Sequence, residues 1–293
     1  MHNPTATQAQ HGARAVHDTR ATAESYTDTV RRLSSAQKKA APGAPAYSIL
    51  VNRPAGRLLA AAAYRAGLTP NMVTGISALF TFTGIACIAL AEPTWVTGIV
   101  VWLLLAVGYA FDSADGQVAR LRGGGSRAGE WLDHVVDSVK IVSLHLAVLI
   151  SMFRFFDLPD GWLLVPIAFA IVATGQFFAM ILNDQLKAVH RATTGVTVRP
   201  RTSASLGRSL LVLPTDYGIL CLAFVLLGAP AVFLAAYSVL LLGNAGYFAL
   251  ASVKWFRDMV SLDAVPRDEV PADVVTGAAL RVPADAARGA GVR

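Results

Sequence analysis

Four aspartates lie close together in one short part of the chain, between residues 112 and 137. Asp112 and Asp115 are three positions apart, and Asp133 and Asp137 are four apart, so the members of each pair share one face of a helix. A Gly-rich stretch at residues 122–127 separates the two pairs. If that stretch is a turn between antiparallel helices, the four carboxylates meet in one pocket.

Crowded carboxylates repel one another, and the repulsion is costly beside lipid unless a cation neutralises it. The ligand atoms available are all oxygen, because no cluster of His or Cys accompanies the aspartates in the sequence. Hard ions such as Mg²⁺ or Mn²⁺ prefer these ligands, and Mg²⁺ commonly bridges protein carboxylates to substrate phosphates. We therefore expect a site for Mg²⁺ or Mn²⁺ with enough carboxylates for two ions.

Small and basic residues accompany the aspartates. Gly116, Ala119 and Gly129 leave the backbone uncovered beside the carboxylates, so a flat and bulky group has room there. Basic side chains that can pair with phosphate follow at Arg120, Arg122 and Arg127. A metal, a phosphate and a planar group together suggest a nucleotide diphosphate at the membrane surface.

The chain that carries these residues has the composition of an integral membrane protein. Of the 293 residues, 54% are hydrophobic and 15% are charged, and the mean hydropathy of +0.51 is too high for an ordinary soluble domain. A membrane-spanning helix needs about 20 mostly apolar residues. Six segments meet that requirement, at residues 71–91, 94–113, 131–153, 161–183, 209–228 and 230–253. The sequence therefore predicts an all-α bundle of six membrane-spanning helices.

Basic residues predict how this bundle is oriented. Lys and Arg are plentiful at residues 14–65, 120–127, 187–208 and 254–267. By the positive-inside rule, both termini and the aspartates face the cytoplasm, and the expected location is a bacterial-type cell membrane. The first 40 residues are polar and contain no short apolar run before a cleavage site, so we expect no cleavable signal peptide.

The regions around the spans have separate predictions. Residues 1–43 are expected to form a disordered cytoplasmic tail, and residues 257–293 a flexible one, on either side of a membrane domain at 44–256. Apolar residues alternate with arginines at 45–68, which predicts an amphipathic helix in the cytoplasmic interface. Thr69 is a candidate N-cap with Pro70 in the first helical position.

The aspartates and the small and basic residues around them match, in type and spacing, the signature of the CDP-alcohol phosphotransferase family. The chain resembles that family over about residues 45–256. The matching residues are Asp112, Asp115, Gly116, Ala119, Arg120, Gly129, Asp133 and Asp137. That family also resembles this chain in having an interfacial helix followed by six spans. Its first span opens with a Pro-Asn-x-x-Thr element, here Pro70, Asn71 and Thr74.

The resemblance implies an Mg²⁺- or Mn²⁺-dependent enzyme of phospholipid biosynthesis that moves a phosphatidyl, or other substituted phosphoryl, group from a CDP-activated lipid or alcohol to an alcohol acceptor. CMP is released. The expected metal ligands are Asp112, Asp115, Asp133 and Asp137, and the last of these is also the candidate general base. The expected nucleotide-binding residues are Asn71, Thr74, Asp112, Gly116, Ala119 and Gly129. A homodimer is implied as well, and no nucleic acid partner is expected.

The acceptor is left open by the sequence. CDP-diacylglycerol is the expected donor, although a non-lipid CDP-alcohol is an alternative, and the acceptor is a small polar alcohol. Candidate acceptor-binding residues are Arg120, Arg199, Arg201 and Arg208. The last three belong to a basic loop that could instead face lipid and serve only topology. Relatives that use inositol phosphate often carry an Arg after the last aspartate, where this chain has Ser138.

Two other functions have to be weighed. A membrane isoprenoid-diphosphate transferase also uses aspartates and Mg²⁺, but its acidic motifs are expected far apart in the chain. A divalent-cation transporter needs carboxylates near the middle of the membrane, whereas these lie at the ends of two spans. The spacing between residues 112 and 137 therefore favours the CDP-alcohol enzyme.

Overall fold

A computed structural model describes residues 24–35, 45–194 and 212–263, and these residues form helices and no strand. The α-helices in chain order are α1 (Tyr26–Ser35), α2 (Arg53–Arg65), α3 (Pro70–Leu90), α4 (Trp95–Leu121), α5 (Arg127–Phe155), α6 (Leu164–Thr194), α7 (Tyr217–Ala223) and α8 (Pro230–Asp263). A π-helical turn, Ser48–Asn52, precedes α2, and 3₁₀ turns occur at Asp160–Leu163, Leu213–Thr215 and Phe224–Gly228. The predicted all-α membrane class is confirmed.

Five helices among the described residues are long and apolar enough to cross a membrane. They are Pro70–Leu90, Trp95–Leu121, Arg127–Phe155, Asp160–Thr194 and Pro230–Asp263. The predicted span at residues 209–228 corresponds to a shorter apolar helix, Tyr217–Gly228, and residues 209–211 lie outside the described part. The count of six spans therefore stays a prediction.

Local sequence signals define the helix ends near the aspartates. The Thr69 hydroxyl accepts a hydrogen bond from the Met72 N–H at 3.3 Å, and Pro70 begins α3 as predicted. The Ser126 hydroxyl accepts from the Gly129 N–H at 3.0 Å and caps α5. Between α4 and α5, Gly123 and Gly124 adopt φ values of 95° and 133°, which L side chains rarely adopt. The Gly-rich stretch is therefore a turn that stops α4 and lets the chain reverse.

Helix α3 contacts both α4 and α5, and small residues allow the close approach. A Cβ added to Gly108 on α4 would lie 2.2 Å from the Thr81 hydroxyl on α3, so only glycine fits at that position. The Ser77 hydroxyl of α3 donates to the Gly108 carbonyl at 2.9 Å. Larger apolar side chains fill the rest of the core, including Leu105 of α4 and Val148 of α5. This packing holds the helices that carry the aspartates.

The predicted interfacial helix is present as α2 with its preceding turn, and α1 packs on it. Leu33 of α1 and Tyr64 of α2 are both fully buried in one cluster. The guanidinium groups of Arg32 and Arg122 lie 5.3 and 5.7 Å from the centroid of the Tyr64 ring. Leu58 on the same helix is exposed, as an apolar residue facing lipid would be. The location of α2 at the membrane surface remains a prediction.

The chain divides into two compact units. The first contains Met1–Thr174 and Thr202–Tyr247, and the second contains Gly175–Arg201 and Phe248–Arg293. All of the aspartates of the sequence signature belong to the first unit. Helix α8 continues to Asp263, beyond the predicted start of the C-terminal tail at residue 257. The remaining parts of the predicted tails, residues 1–23, 36–43 and 264–293, lie outside the described residues.

Candidate active site

Three of the four aspartates converge between α4 and α5. One carboxylate oxygen each from Asp112, Asp133 and Asp137 lies within 4.8 Å of the other two. Asp112 comes from the C-terminal part of α4, and Asp133 and Asp137 come from the first turns of α5. We call these three residues the acidic cluster. The i, i+4 spacing on α5 and the turn before it bring them together, as the sequence predicts.

The donor set of the acidic cluster suits a hard divalent cation. Each of the three carboxylates offers an oxygen, all three side chains are partly buried, and the oxygens are close enough to share one ion. Mg²⁺ and Mn²⁺ bind such oxygen donors. The residues present therefore fit the predicted metal.

Asp115, the fourth predicted ligand, has different partners. Its Oδ2 accepts a hydrogen bond of 2.6 Å from the Thr74 hydroxyl on α3, and its Oδ1 accepts one of 2.5 Å from the Gly116 N–H. The residue is buried, whereas the three members of the cluster are partly exposed. Asp115 is absent from the group of oxygens within 4.8 Å. Its role as a ligand stays a prediction, and the geometry links it to Thr74.

Lys140 is a site residue that the sequence analysis missed. It lies on α5, three residues after Asp137, and is buried. Its ammonium donates to Asp112 Oδ1 at 3.1 Å and also contacts Asp137 Oδ1. The ring of Tyr217 lies over the ammonium, 5.4 Å from Nζ to the ring centroid. A lone lysine inside an apolar span was the available signal, because such residues usually have a partner and a function.

The predicted nucleotide-binding residues lie around the start of α5 and along α3 and α4. A Cβ added to Gly129 would lie 3.2 Å from both Asn71 Oδ1 and Ser126 Oγ, so a small residue preserves space between α3 and α5. Gly116 is exposed, and a Cβ there would meet only Arg120, 3.8 Å from its Nη1. Ala119 is buried, and Thr74 is held by Asp115.

The predicted acceptor-binding residues divide into one that the structure describes and three that it does not. Arg120 is exposed near the end of α4, one turn after Gly116. Arg199, Arg201 and Arg208 lie outside the described residues. The four acceptor-binding residues therefore remain predictions from the sequence.

The chain belongs to the CDP-alcohol phosphatidyltransferase family, because a model of that family matches residues 67–252, more than half of its length. This confirms the resemblance inferred from the aspartate signature. It also favours this class over the isoprenoid-diphosphate transferase and the cation transporter. The matched range contains the acidic cluster, Lys140 and the two helix caps.

One curated relative is the phosphatidylinositol phosphate synthase of Corynebacterium glutamicum, which is 33% identical over 96 residues. The match covers 32% of this chain and 41% of the relative, so it spans less than half the length of that protein. Two solved structures of the Mycobacterium tuberculosis phosphatidylinositol phosphate synthase are also similar. The complex with manganese and citrate is 21% identical, with a TM-score of 0.41 and coverage of 71% of this chain and 89% of the other. The form with CDP-DAG bound is 20% identical, with a TM-score of 0.44 and coverage of 74% and 96%.

Proposed function

We propose that this protein transfers a phosphatidyl group from CDP-diacylglycerol to a small polar alcohol and releases CMP. The observation that carries the proposal is the convergence of Asp112, Asp133 and Asp137, within the residues that the family model matches. A cluster of carboxylates at a helix end has little structural value by itself, because its members repel one another. Its chemistry is that of a site that holds divalent ions and, through them, a diphosphate.

The residues of the chain act in the following way. Asp112, Asp133 and Asp137 hold Mg²⁺ or Mn²⁺, which when bound supplies positive charge to the diphosphate of the donor. Asp137 accepts the proton of the acceptor hydroxyl while the hydroxyl oxygen attacks the phosphorus that carries the lipid. The bond from that phosphorus to the oxygen of CMP breaks, and CMP leaves with the electron pair. The products are a phosphodiester and CMP.

The residues around the acidic cluster position the nucleotide part of the donor. The lack of a side chain at Gly129 leaves room beside Asn71, and Gly116 leaves the surface of α4 open. Thr74 fixes the orientation of the buried Asp115 carboxylate through a 2.6 Å hydrogen bond. We assign these residues to the cytidine-diphosphate site, and Asp115 to the same metal-binding group as the acidic cluster.

The acceptor is the least defined part of the proposal. The curated relative is a phosphatidylinositol phosphate synthase, which makes inositol phosphate an acceptor to test. Ser138 argues against it, because it replaces the Arg that relatives using inositol phosphate often carry. Arg120 and the loop arginines Arg199, Arg201 and Arg208 are the residues we assign to an anionic acceptor.

The setting of the enzyme is part of the proposal. We place both termini and the acidic cluster on the cytoplasmic side, on the basis of the distribution of Lys and Arg. We also propose a catalytic membrane domain at residues 44–256 between two tails, working as a homodimer. The orientation can be tested in intact cells by labelling single cysteines that are introduced into the turn at residues 122–127. Cytoplasmic placement requires that an impermeant reagent labels them only after the cells are opened.

The decisive experiment offers the purified chain CDP-diacylglycerol, Mg²⁺ and a panel of acceptors: glycerol phosphate, serine, inositol phosphate and free polyols. We expect CMP release that depends on one of these acceptors, with the matching phospholipid as the second product. A parallel reaction with a non-lipid CDP-alcohol tests the alternative donor. Failure of every donor and acceptor pair, together with Mn²⁺ uptake into vesicles containing the protein, would replace this function with metal transport.

A further inference from the structure

The Lys140 ammonium is positioned as a cation of the acidic cluster. A lysine inside a membrane-spanning helix is costly, and lysines near helix ends usually extend toward the interface. Lys140 remains buried and contacts carboxylates on two helices, Asp112 of α4 and Asp137 of α5. The contact with Asp137 alone would be an ordinary pair within one helix. The contact with Asp112 makes the ammonium a bridge between α4 and α5.

Two of the carboxylates that contact the ammonium also belong to the predicted metal site. Lys140 contacts Asp112 Oδ1 and Asp137 Oδ1, and both of these residues belong to the group whose oxygens converge. The Tyr217 ring covers the ammonium and favours a cation at that place. One ammonium balances only one of the three carboxylates. The cluster therefore stays attractive to a divalent ion while part of its repulsion is already relieved.

We propose that Lys140 is a positioning residue of the metal site and its built-in counter-cation. Its ammonium holds the carboxylates of Asp112 and Asp137 together when no divalent ion is bound, and it lowers the affinity for that ion by competing for the same two carboxylates. This inference rests on the proposed function, since it takes the acidic cluster to be a metal site. It assigns to a residue outside the family signature the task of keeping that site assembled between turnovers.

The test compares the full-length protein with Lys140→Met in detergent, by two measurements that need no substrate. The first is the dissociation constant for Mn²⁺ alone, measured by electron paramagnetic resonance. Because a positive charge beside the ion is removed, we expect Mn²⁺ to bind about tenfold more tightly or better. The second is the melting temperature in EDTA and in saturating Mn²⁺. We expect the variant to lose stability in EDTA and to regain most of it with Mn²⁺.

A purely structural role for Lys140 gives a different result. The melting temperature would then fall by the same amount with and without Mn²⁺, and the dissociation constant would not change; that result overturns the proposal. Lys254→Met, at an exposed lysine of the second unit, is the matched control and should leave the Mn²⁺ affinity unchanged. Neither measurement uses a CDP-alcohol. A failure of the proposed transfer reaction can therefore be distinguished from a failure of this inference about Lys140.

A second variant keeps the test decisive if Lys140→Met does not fold in EDTA. Lys140→Met combined with Asp137→Asn removes the ammonium together with one of the carboxylates that it balances. If uncompensated charge is the cause, the double variant melts at a higher temperature in EDTA than Lys140→Met alone. A double variant that is no more stable than the single one overturns the proposal.

Discussion

Two clusters of lysine and aspartate in this protein have opposite balances of charge. In the first unit, the single ammonium of Lys140 contacts Asp112 and Asp137. In the second unit, the single carboxylate of Asp258 accepts from Lys187 at 2.6 Å and from Lys254 at 2.9 Å. The Lys140 side chain is 7% exposed, whereas the side chains of Lys187 and Lys254 are 23% and 68% exposed. The clusters use the same residue types in different surroundings.

Burial and the sign of the excess charge decide what each cluster can do. The Asp258 cluster carries extra positive charge, and water can solvate the exposed Lys254 ammonium, so the cluster needs no further partner. The cluster around Lys140 carries extra negative charge, its ammonium is buried, and its carboxylates are partly removed from water, which makes uncompensated charge costly. Only the second situation creates a strong demand for a cation. The comparison therefore separates a metal site from an ordinary ion pair.

Removal of divalent ions is expected to have the largest effect, a complete loss of CMP release. In the proposed function the acidic cluster needs the ion to attract the diphosphate of the donor, whereas the Asp258 cluster is already balanced by lysines. The measurement is CMP release in EDTA and after Mg²⁺ or Mn²⁺ is restored. Full activity in EDTA after extensive dialysis would contradict the assignment of the cluster as a metal site.

The next effect in size is that of Asp137→Asn, which should lower turnover about 10²- to 10⁴-fold while the protein stays folded. The amide keeps the shape of the side chain but cannot accept the proton of the attacking hydroxyl. Asp258→Asn is the matched control, because it makes the same change in the cluster of the second unit and should leave turnover unchanged. A near-normal rate for Asp137→Asn would reject Asp137 as the base.

The site shows which parts of the structure the sequence could predict. The spacing of the aspartates placed Asp112, Asp133 and Asp137 together, since helical periodicity and a glycine turn were enough for that inference. The orientation of Asp115 could not be predicted, because it depends on a hydroxyl of another helix, that of Thr74. Side-chain partners between helices are set by packing, which sequence spacing does not encode.

Lys140 and the fifth predicted span, residues 209–228, show the other limits. Its i, i+3 relation to Asp137 was readable in the sequence, but its contact with Asp112 depends on how α4 and α5 approach each other. Hydropathy also predicted a full span at residues 209–228, where the structure has a short helix flanked by 3₁₀ turns. Hydropathy counts apolar side chains and contains no information on backbone hydrogen bonding, so it could not predict these breaks.

A smaller effect is expected from Thr74→Val, which tests whether Asp115 needs the hydroxyl that it accepts from. The substitution keeps the shape of the side chain and removes one of the two hydrogen bonds to the carboxylate. Hydrogen bonds to charged groups contribute about 1.5–3 kcal/mol, so kcat/KM for the CDP donor should fall about tenfold or more. Thr83→Val is the control on the same helix, because the exposed Thr83 hydroxyl donates to the Leu79 carbonyl one turn away and not, among the described residues, to an aspartate. Equal kcat/KM values for the two variants would remove Thr74 from the site.

The smallest effect is expected at the exposed Lys254 of the Asp258 cluster. Lys254→Met removes one of the two ammonium groups that contact Asp258, and Lys187 remains to balance the carboxylate. Exposed ion pairs of this kind contribute about 1 kcal/mol or less, and salt screens them further. Unfolding in detergent should therefore differ little from that of the unmodified protein, and the difference should shrink as salt is added. A large, salt-independent loss of stability would mean that the Asp258 cluster depends on its lysines as strongly as the acidic cluster depends on Lys140. The distinction between the two clusters would then fail.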